Sequence, residues 1–273
     1  MYVHYAEKCA KFWTSIVVAW FSICLISLRS ISLKDLPVFL FLILFWLYGL
    51  FNLGVFIISH LVKPTIPVSS KIWSSPKVAV LYCCYNDFSE KSLRSILSLS
   101  YSNKEIYILD DSTNEEVRRR VDEFAGKHGI KVFRRKGRRG WKAGAINDAI
   151  KKIEADYFVL ADSDELFPSD FIEKALGYFD DPEVAFVQAN HTCYNKDENE
   201  WARVMGIGID LHWEHYQEYR NRYGLVQILG HGVIIRGDLL KKFGFPETVS
   251  EDLALTLILA KHGYRGVFAK DII

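Results

Sequence analysis

The sequence predicts an α/β protein, a mostly parallel sheet flanked by helices on both faces, preceded by a two-helix transmembrane hairpin. Two long uncharged stretches occupy much of the first 63 of its 273 residues. Beyond them, short apolar runs alternate with segments of helical periodicity, the pattern of a sheet covered on both faces. The apolar runs end in acids, amides and bases, which is where ligands bind in such sheets.

Phe12 to Leu28 is one uncharged stretch and Leu36 to Val62 the other, with His60 the only titratable group in the second. At ~1.5 Å per residue the second crosses a ~30 Å hydrocarbon core, while the first needs its flanking Lys and Arg to snorkel. We therefore expect a membrane region over 1–63, with spans at about 12–28 and 36–60. A cleaved leader fits less well, because no small-residue cleavage site follows Leu28. Residues 1–70 carry net +3 and residues 71–273 carry −2. Lys63, Lys71 and Lys77 after the second span put both termini, and the globular part, on the cytoplasmic side of the plasma membrane. A net charge of +1 for the whole chain gives no footprint for nucleic acid. Cys9, Cys24, Cys83, Cys84 and Cys193 form no CxxC pair and read as reduced thiols, without a zinc or disulfide framework.

Residues 64–76 hold three prolines and four serines and read as a linker. The remaining 77–273 are expected to form one domain. Lys77–Cys84 is its first strand, and Ser89–Leu99 a helix that Asp87 and Glu90 open at capping-box spacing. Glu105–Asp110 is the second strand, and Glu115 to His128 a helix closed by Gly129. Ile130–Arg134, Asp156–Ala161 and Val184–Ala189 are further strands, with helices near Trp141–Ile153 and Pro168–Phe179. A helical stretch covers Glu198–Tyr223. Its Trp201, Trp213, Tyr216 and Tyr219 fit core packing better than stacking on sugars or contact with the membrane interface. The last helix, Leu253–His262, has Ser250 as its N-cap, and Tyr264–Ile273 reads as an interrupted strand.

The strand ends carry the chemistry. The first runs into Tyr85-Asn86-Asp87, the second into Asp110-Asp111, the fourth into Asp162-Ser163-Asp164 and the fifth into Gln188-Ala189-Asn190. Residues two apart in an extended segment point the same way, so Asp162 and Asp164 can share one hard divalent cation with pyrophosphate oxygens. The bland reading of an isolated DxD is a turn, but its place at the end of an apolar strand favours the metal. The basic loop Arg134 to Gly144 precedes a helix start that attracts phosphate, with Lys142 as the diphosphate contact and Gly140 and Gly144 allowing close approach. A solvated basic loop is the competing reading. Glu251 and Asp252 are either first-turn acids complementing a helix dipole or a general base beside the proposed donor site.

Together these motifs, with Trp141-Lys142-Ala143-Gly144, Phe186-Val187-Gln188-Ala189-Asn190, Gly230-His231-Gly232 and Ser250-Glu251-Asp252, resemble those of family 2 glycosyltransferases of the GT-A fold. The membrane-embedded branch that includes bacterial cellulose synthase and related β-glucan synthases is the most similar. The resemblance implies Tyr85, Asn86, Asp110, Asp111, Lys142 and Asp162 at the nucleotide, and Asp162 and Asp164 on Mg²⁺ or Mn²⁺. It implies Gln188, Asn190, Gly230, His231 and Gly232 at the acceptor, and Asp252 with Glu251 as the catalytic acids. The implied reaction is inverting transfer from a UDP-sugar, glucose foremost, to a growing polysaccharide. A membrane lipid or polyprenyl-phosphate acceptor stays open, as does a membrane-tethered nucleotide-sugar sensor without turnover. Ser250 stands where the family usually has Thr, and the QxxRW-type motif and later membrane helices of processive members are not in this sequence, so a catalytic domain truncated at its carboxyl end is expected.

Overall fold

A computed structural model describes residues 2–61, 75–223 and 225–273. The first two helices, α1 (Tyr2–Leu28) and α2 (Leu36–Leu61), fold back on each other, with Trp20 and Trp46 rings 5.6 Å apart. Both predicted helices are present, but among the described residues only α2 contains a span long and apolar enough to cross a membrane, Leu36–Val55 at mean hydropathy 2.2. The apolar part of α1, Thr14–Leu28, is shorter. Most of the expected linker, residues 64–74, lies outside the described residues. Its end is pinned to the domain: Tyr101 donates to the Pro76 carbonyl and Asn103 to that of Ser75, both at 2.7 Å.

Among the described residues, seven strands form one sheet: β1 (Val78–Cys84), β2 (Lys104–Asp110), β3 (Lys131–Phe133), β4 (Tyr157–Asp162), β5 (Val184–Ala189), β6 (Val233–Arg236) and β7 (Arg265–Ala269). Their order across the sheet is β3-β2-β1-β4-β6-β5-β7. β1, central and apolar throughout, sends Val78, Val80 and Tyr82 to one face and Ala79 and Leu81 to the other, as a pleat of period two requires. On the first face lie α3 (Glu90–Leu97), α4 (Glu115–His128) and α6 (Phe171–Leu176), contributing Leu93, Ile96, Phe124 and Phe171. On the second lie α5 (Trp141–Ile150), α9 (Gly237–Phe243) and α10 (Glu251–Lys261), contributing Ile146, Leu239 and Leu259. Each fully buried Leu, Ile or Phe is worth about 1.5–3 kcal/mol of transfer free energy, so these two apolar layers dominate the stability of the domain.

Local chemistry sets the element ends. Asn114 caps α4 by accepting from the backbone N–H of Glu116 and Val117, and Gly129 closes it at φ +67°. The cap of α3 is Ser89, which accepts from Ser92 N–H, rather than the expected Asp87. Asp87 turns back to accept from Tyr85 N–H at 2.7 Å. Ser250 occupies the cap position of α10, yet its side chain makes no cap hydrogen bond.

The sheet is mixed. β6 runs antiparallel to both β4 and β5. After β5 the chain makes α7 (Glu200–Leu211), a π-helical segment (His212–Gln217) and α8 (Glu218–Tyr223), and returns to the end of the sheet where β5 stopped. Entering there, β6 can only run backwards, and its leading residues Gly230-His231-Gly232 land on the same rim as the carboxyl ends of the parallel strands. Trp213 and Tyr219 of this stretch are buried, as expected, while Trp201 remains 74% exposed.

Candidate active site

The rim encloses a cavity of about 450 Å³ between the ends of β1, β2 and β4 and the start of α5, lined by Tyr85, Asp87, Asp111, Lys142, Asp162 and Asp164 among others. Lys142 reaches it from the first turn of α5 and forms a close ion pair with Asp162 at the end of β4. Burial opposes the Lys142 charge, but the ionised acids beside it, Asp162 foremost, more than offset it and the ammonium is held above its ordinary value. The Cys83 thiol on the same wall is pushed up to about 12, chiefly by burial, so it stays neutral. Asp111 faces the cavity while gripped by Arg135, which donates to its two oxygens at 2.9 and 2.6 Å. Over Tyr85 lies the Arg138 guanidinium, 3.3 Å from the ring centroid. A planar base entering here would meet an aromatic face already occupied by a planar cation.

Asp162 and Asp164 both line this cavity. Only one oxygen of Asp162 is paired with Lys142, and among the described residues Asp164 has no ion-pair partner. Two carboxylates with oxygens to spare, on one wall, fit a hard divalent cation that prefers oxygen donors.

A second cavity of about 310 Å³ adjoins the first and shares Asp164 with it. Asn190, His191 and Gly232 line it. Its floor is a clamp that sequence reasoning missed. Glu165, next to Asp164, accepts from His191 Nε2 at 2.7 Å and from His231 Nδ1 at 2.6 Å, and its other oxygen accepts from Asp162 N–H at 2.9 Å. Burial pushes the Glu165 carboxyl up, but the two histidine hydrogen bonds outweigh it and hold it down at about 2. His231 is correspondingly held above its ordinary value, burial opposing and Glu165 prevailing. Both histidines meet the same Glu165 oxygen at hydrogen-bond length, which makes the cluster a clamp tying β4, the loop after β5 and the start of β6 together.

Gln188, fully buried, donates to the His231 carbonyl at 2.8 Å and accepts from Leu229 N–H at 2.9 Å, so it builds the Gly230–Gly232 loop from beneath. Gly232 has φ +54°, and a Cβ there would collide with the His191 ring. Gly230 stands between the two halves of the site. A Cβ on it would be 3.8 Å from Lys142 Nζ and 3.9 Å from Asp252 Oδ2. Asp252, in the first turn of α10, also accepts from Leu253 N–H at 2.7 Å. Glu251 precedes it in the same turn.

Two residues expected at the nucleotide stand outside the cavity lining. Asn86, at φ +62°, uses its side-chain oxygen to accept from Thr113 and Asn114 N–H, joining the ends of β1 and β2. Asp110, its side chain wholly buried, pairs with Arg134 at 2.7 Å and accepts from Ser112 N–H. Gly140 and Gly144 do allow close approach, but to protein. A Cβ on Gly140 would fall 2.6 Å from Glu247, and one on Gly144 would strike the Arg139 carbonyl and sit 2.6 Å from the Arg135 guanidinium. Glu165 and His191 were not singled out from sequence, and Asp87 and Arg138 only as parts of a strand end and of the basic loop. Only Glu165 carried a signal, its position directly after Asp164.

The model of the family described as "Glycosyl transferase family 2" matches residues 79–243, which span the sheet from β1 through α9. The chain belongs to glycosyl transferase family 2. Its likeness to curated members is partial. It is 29% identical over 225 residues to a "Cellulose synthase catalytic subunit [UDP-forming]" of Xanthomonas axonopodis pv. citri, covering 76% of this chain and 29% of that protein. It is 25% identical over 198 residues to a "Beta-monoglucosyldiacylglycerol synthase" of Synechocystis, covering 70% of this chain and 41% of that protein. The chain thus spans less than half the length of either relative. Among solved structures, a mannosyltransferase from Pyrobaculum calidifontis in complex with GDP-Man and Mn²⁺ superposes with a TM-score of 0.60 at 20% identity, over 81% of this chain and 62% of that one. The family and the GT-A fold expected from the motifs are borne out.

Proposed function

We propose that this family 2 protein is a membrane-bound, inverting glycosyltransferase that moves a sugar, glucose in our reading, from a UDP-sugar to a growing polysaccharide. The observation that carries it is one arrangement: two cavities meet at Asp164, with the Lys142–Asp162 pair in the first, and Asp252 approaches the loop between them at Gly230. The first cavity is the donor side, where Tyr85 and Asp111 meet the nucleobase and Lys142 the diphosphate. The second, with Asn190 and Gly232, is the acceptor side.

Asp162 and Asp164 would hold Mg²⁺ or Mn²⁺, which supplies charge neutralisation for the diphosphate. Asp252 takes the proton from the acceptor hydroxyl, and that oxygen forms its bond to the anomeric carbon from the face opposite the nucleotide. The bond between the anomeric carbon and the diphosphate oxygen breaks, its electron pair leaving with UDP. Lys142, already cationic and partly buried, donates to the departing oxygen without reorganising. No covalent enzyme intermediate is needed. Similarity to relatives named for UDP formation and for a glucosyl lipid supports the donor class and leaves polysaccharide and lipid as the acceptors to compare. The span Leu36–Val55 supports attachment to a membrane, and Lys63, Lys71 and Lys77 after it support a cytoplasmic domain.

The test is UDP release by the detergent-solubilised protein with Mg²⁺ or Mn²⁺ and a panel of nucleotide sugars, beside Asp164→Asn and Asp252→Asn. Metal-dependent release from one donor, lost in both variants, is the expected result, and product size then separates polymer from glycolipid. Metal-dependent nucleotide binding without release from any donor would replace the transferase by a sensor.

A further inference from the structure

Helix α7 is amphipathic in the sense opposite to that of a helix packed on a soluble domain. At 100° per residue, Trp201, Val204, Met205, Gly208 and Leu211 share one face, with Ile207 and Ile209 on its flanks. That face points outward: Trp201 is 74% exposed, Val204 56%, Met205 49% and Leu211 46%. The two charged residues between 201 and 211, Arg203 and Asp210, fall on the opposite side.

The rotation of the helix is fixed by its inner side. A Cβ on buried Gly206 would stand 3.1 Å from the Cβ atoms of Cys193 and Lys196, so the helix lies close on that loop. Thr192 donates to Asp210 at 2.9 Å, and Asn199 caps the amino end by accepting from Ala202 N–H at 2.8 Å. Turning the apolar face inward would break the Gly206 approach and the Thr192–Asp210 bond.

α7 passes without interruption into the π-helical segment, and that segment packs on α2. The Leu36–Val55 span of α2 is itself only 6% buried and exposes Leu40, Phe41, Leu44, Phe45 and Trp46. The exposed apolar faces of α2 and α7 are thus linked through that segment. A bilayer is the single occupant that covers both, since a protein partner seated on α7 would have to share its edge with the lipid around α2.

We propose that α7 is a membrane-surface helix, its Trp201–Leu211 face buried in the bilayer that α2 enters. This rests on the membrane reading of the proposed function. Through the Thr192–Asp210 bond and the Cys193–Gly206 contact, α7 is joined to the loop carrying Asn190 and His191, so the helix holds the acceptor cavity against the membrane.

The full chain is reconstituted in phosphatidylcholine/phosphatidylglycerol vesicles containing a phospholipid with a photoactivatable diazirine in its acyl chain, and labelled peptides are mapped by mass spectrometry. Labels are expected on residues 201–211 as well as on 36–55. In Val204→Glu/Leu211→Glu the α7 labels should fall by ~tenfold or more, with α2 labelling and nucleotide binding retained as evidence of a folded chain. Labelled α2 with unlabelled α7 overturns this proposal alone. Absence of label from both helices overturns the membrane reading beneath it.

Discussion

In the proposed reaction Asp252 serves chemistry, while Asp110, the same kind of side chain, serves architecture. Asp252 sits in the first turn of a helix beside the loop at Gly230, where its Oδ2 and the Lys142 ammonium both lie within 4 Å of the point a Gly230 Cβ would occupy. Asp252→Asn removes the base and keeps the shape, so transfer should fall by about 10²–10⁴-fold with donor binding unchanged, checked by UDP release beside calorimetric binding of the nucleotide sugar. Loss of binding in that variant would count against a group acting only in the chemical step. Asp110 is wholly enclosed and pairs with Arg134. Burial pushes its carboxyl up, but the Ser112 and Arg134 hydrogen bonds prevail and hold it below its ordinary value. Its contribution to stability is therefore complete above the unfolded carboxylate pKa of about 3.9 and is lost as pH falls through the folded value. Asp110→Asn should cost about 1–3 kcal/mol near neutral pH and flatten the acid limb of the stability curve, read by denaturant melts from pH 7 down to about pH 3.

The rim depends on how elements enter it. Because β6 runs backwards, its amino end delivers Gly230-His231-Gly232 to the rim, and Gln188 and Glu165 fasten that loop from below and from the side. Gly232→Ala puts a Cβ at φ +54° into the His191 ring, so it should destabilise the loop by about 1–3 kcal/mol. Acceptor KM should rise more than donor KM, which steady-state kinetics separate. Gln188→Leu removes both ends of the amide bridge while roughly preserving volume, leaving the Leu229 N–H and His231 carbonyl unpaired. A lowered Tm and the same bias toward acceptor KM are expected; an unchanged acceptor KM would show the loop to be held by the Glu165 clamp alone.

For the whole molecule, α2 and α7 carry long exposed apolar faces, and the two polar cavities lie on the rim. This division predicts that the protein fractionates with membranes and resists extraction at alkaline pH, whereas high salt alone leaves it in place. Release by salt would mean that charge rather than α2 attaches it. Protease added to sealed inside-out vesicles should cut within residues 75–273 and, in right-side-out vesicles, leave them intact, which tests the cytoplasmic placement.

Periodicity and strand-end chemistry were legible in the amino-acid order because both are local. Alternation along β1, the cap at Gly129 and the acids ending β4 each depend on neighbours within a turn or a strand. The motifs carried the family for the same reason. What the order left open was decided by contacts across the chain. The direction of β6 depends on where α8 ends, the cap of α3 passed from Asp87 to Ser89, and Asn86 and Asp110 took partners on neighbouring strand ends. Glu165 and His191, 26 residues apart, met only through the sheet. Trp201 and Trp213 belong to one helical stretch, yet one is exposed and the other buried, because a backbone contact at Gly206 sets which face turns inward. Spacing along the chain sets which side chains share a face; only packing against the rest of the molecule decides what that face meets.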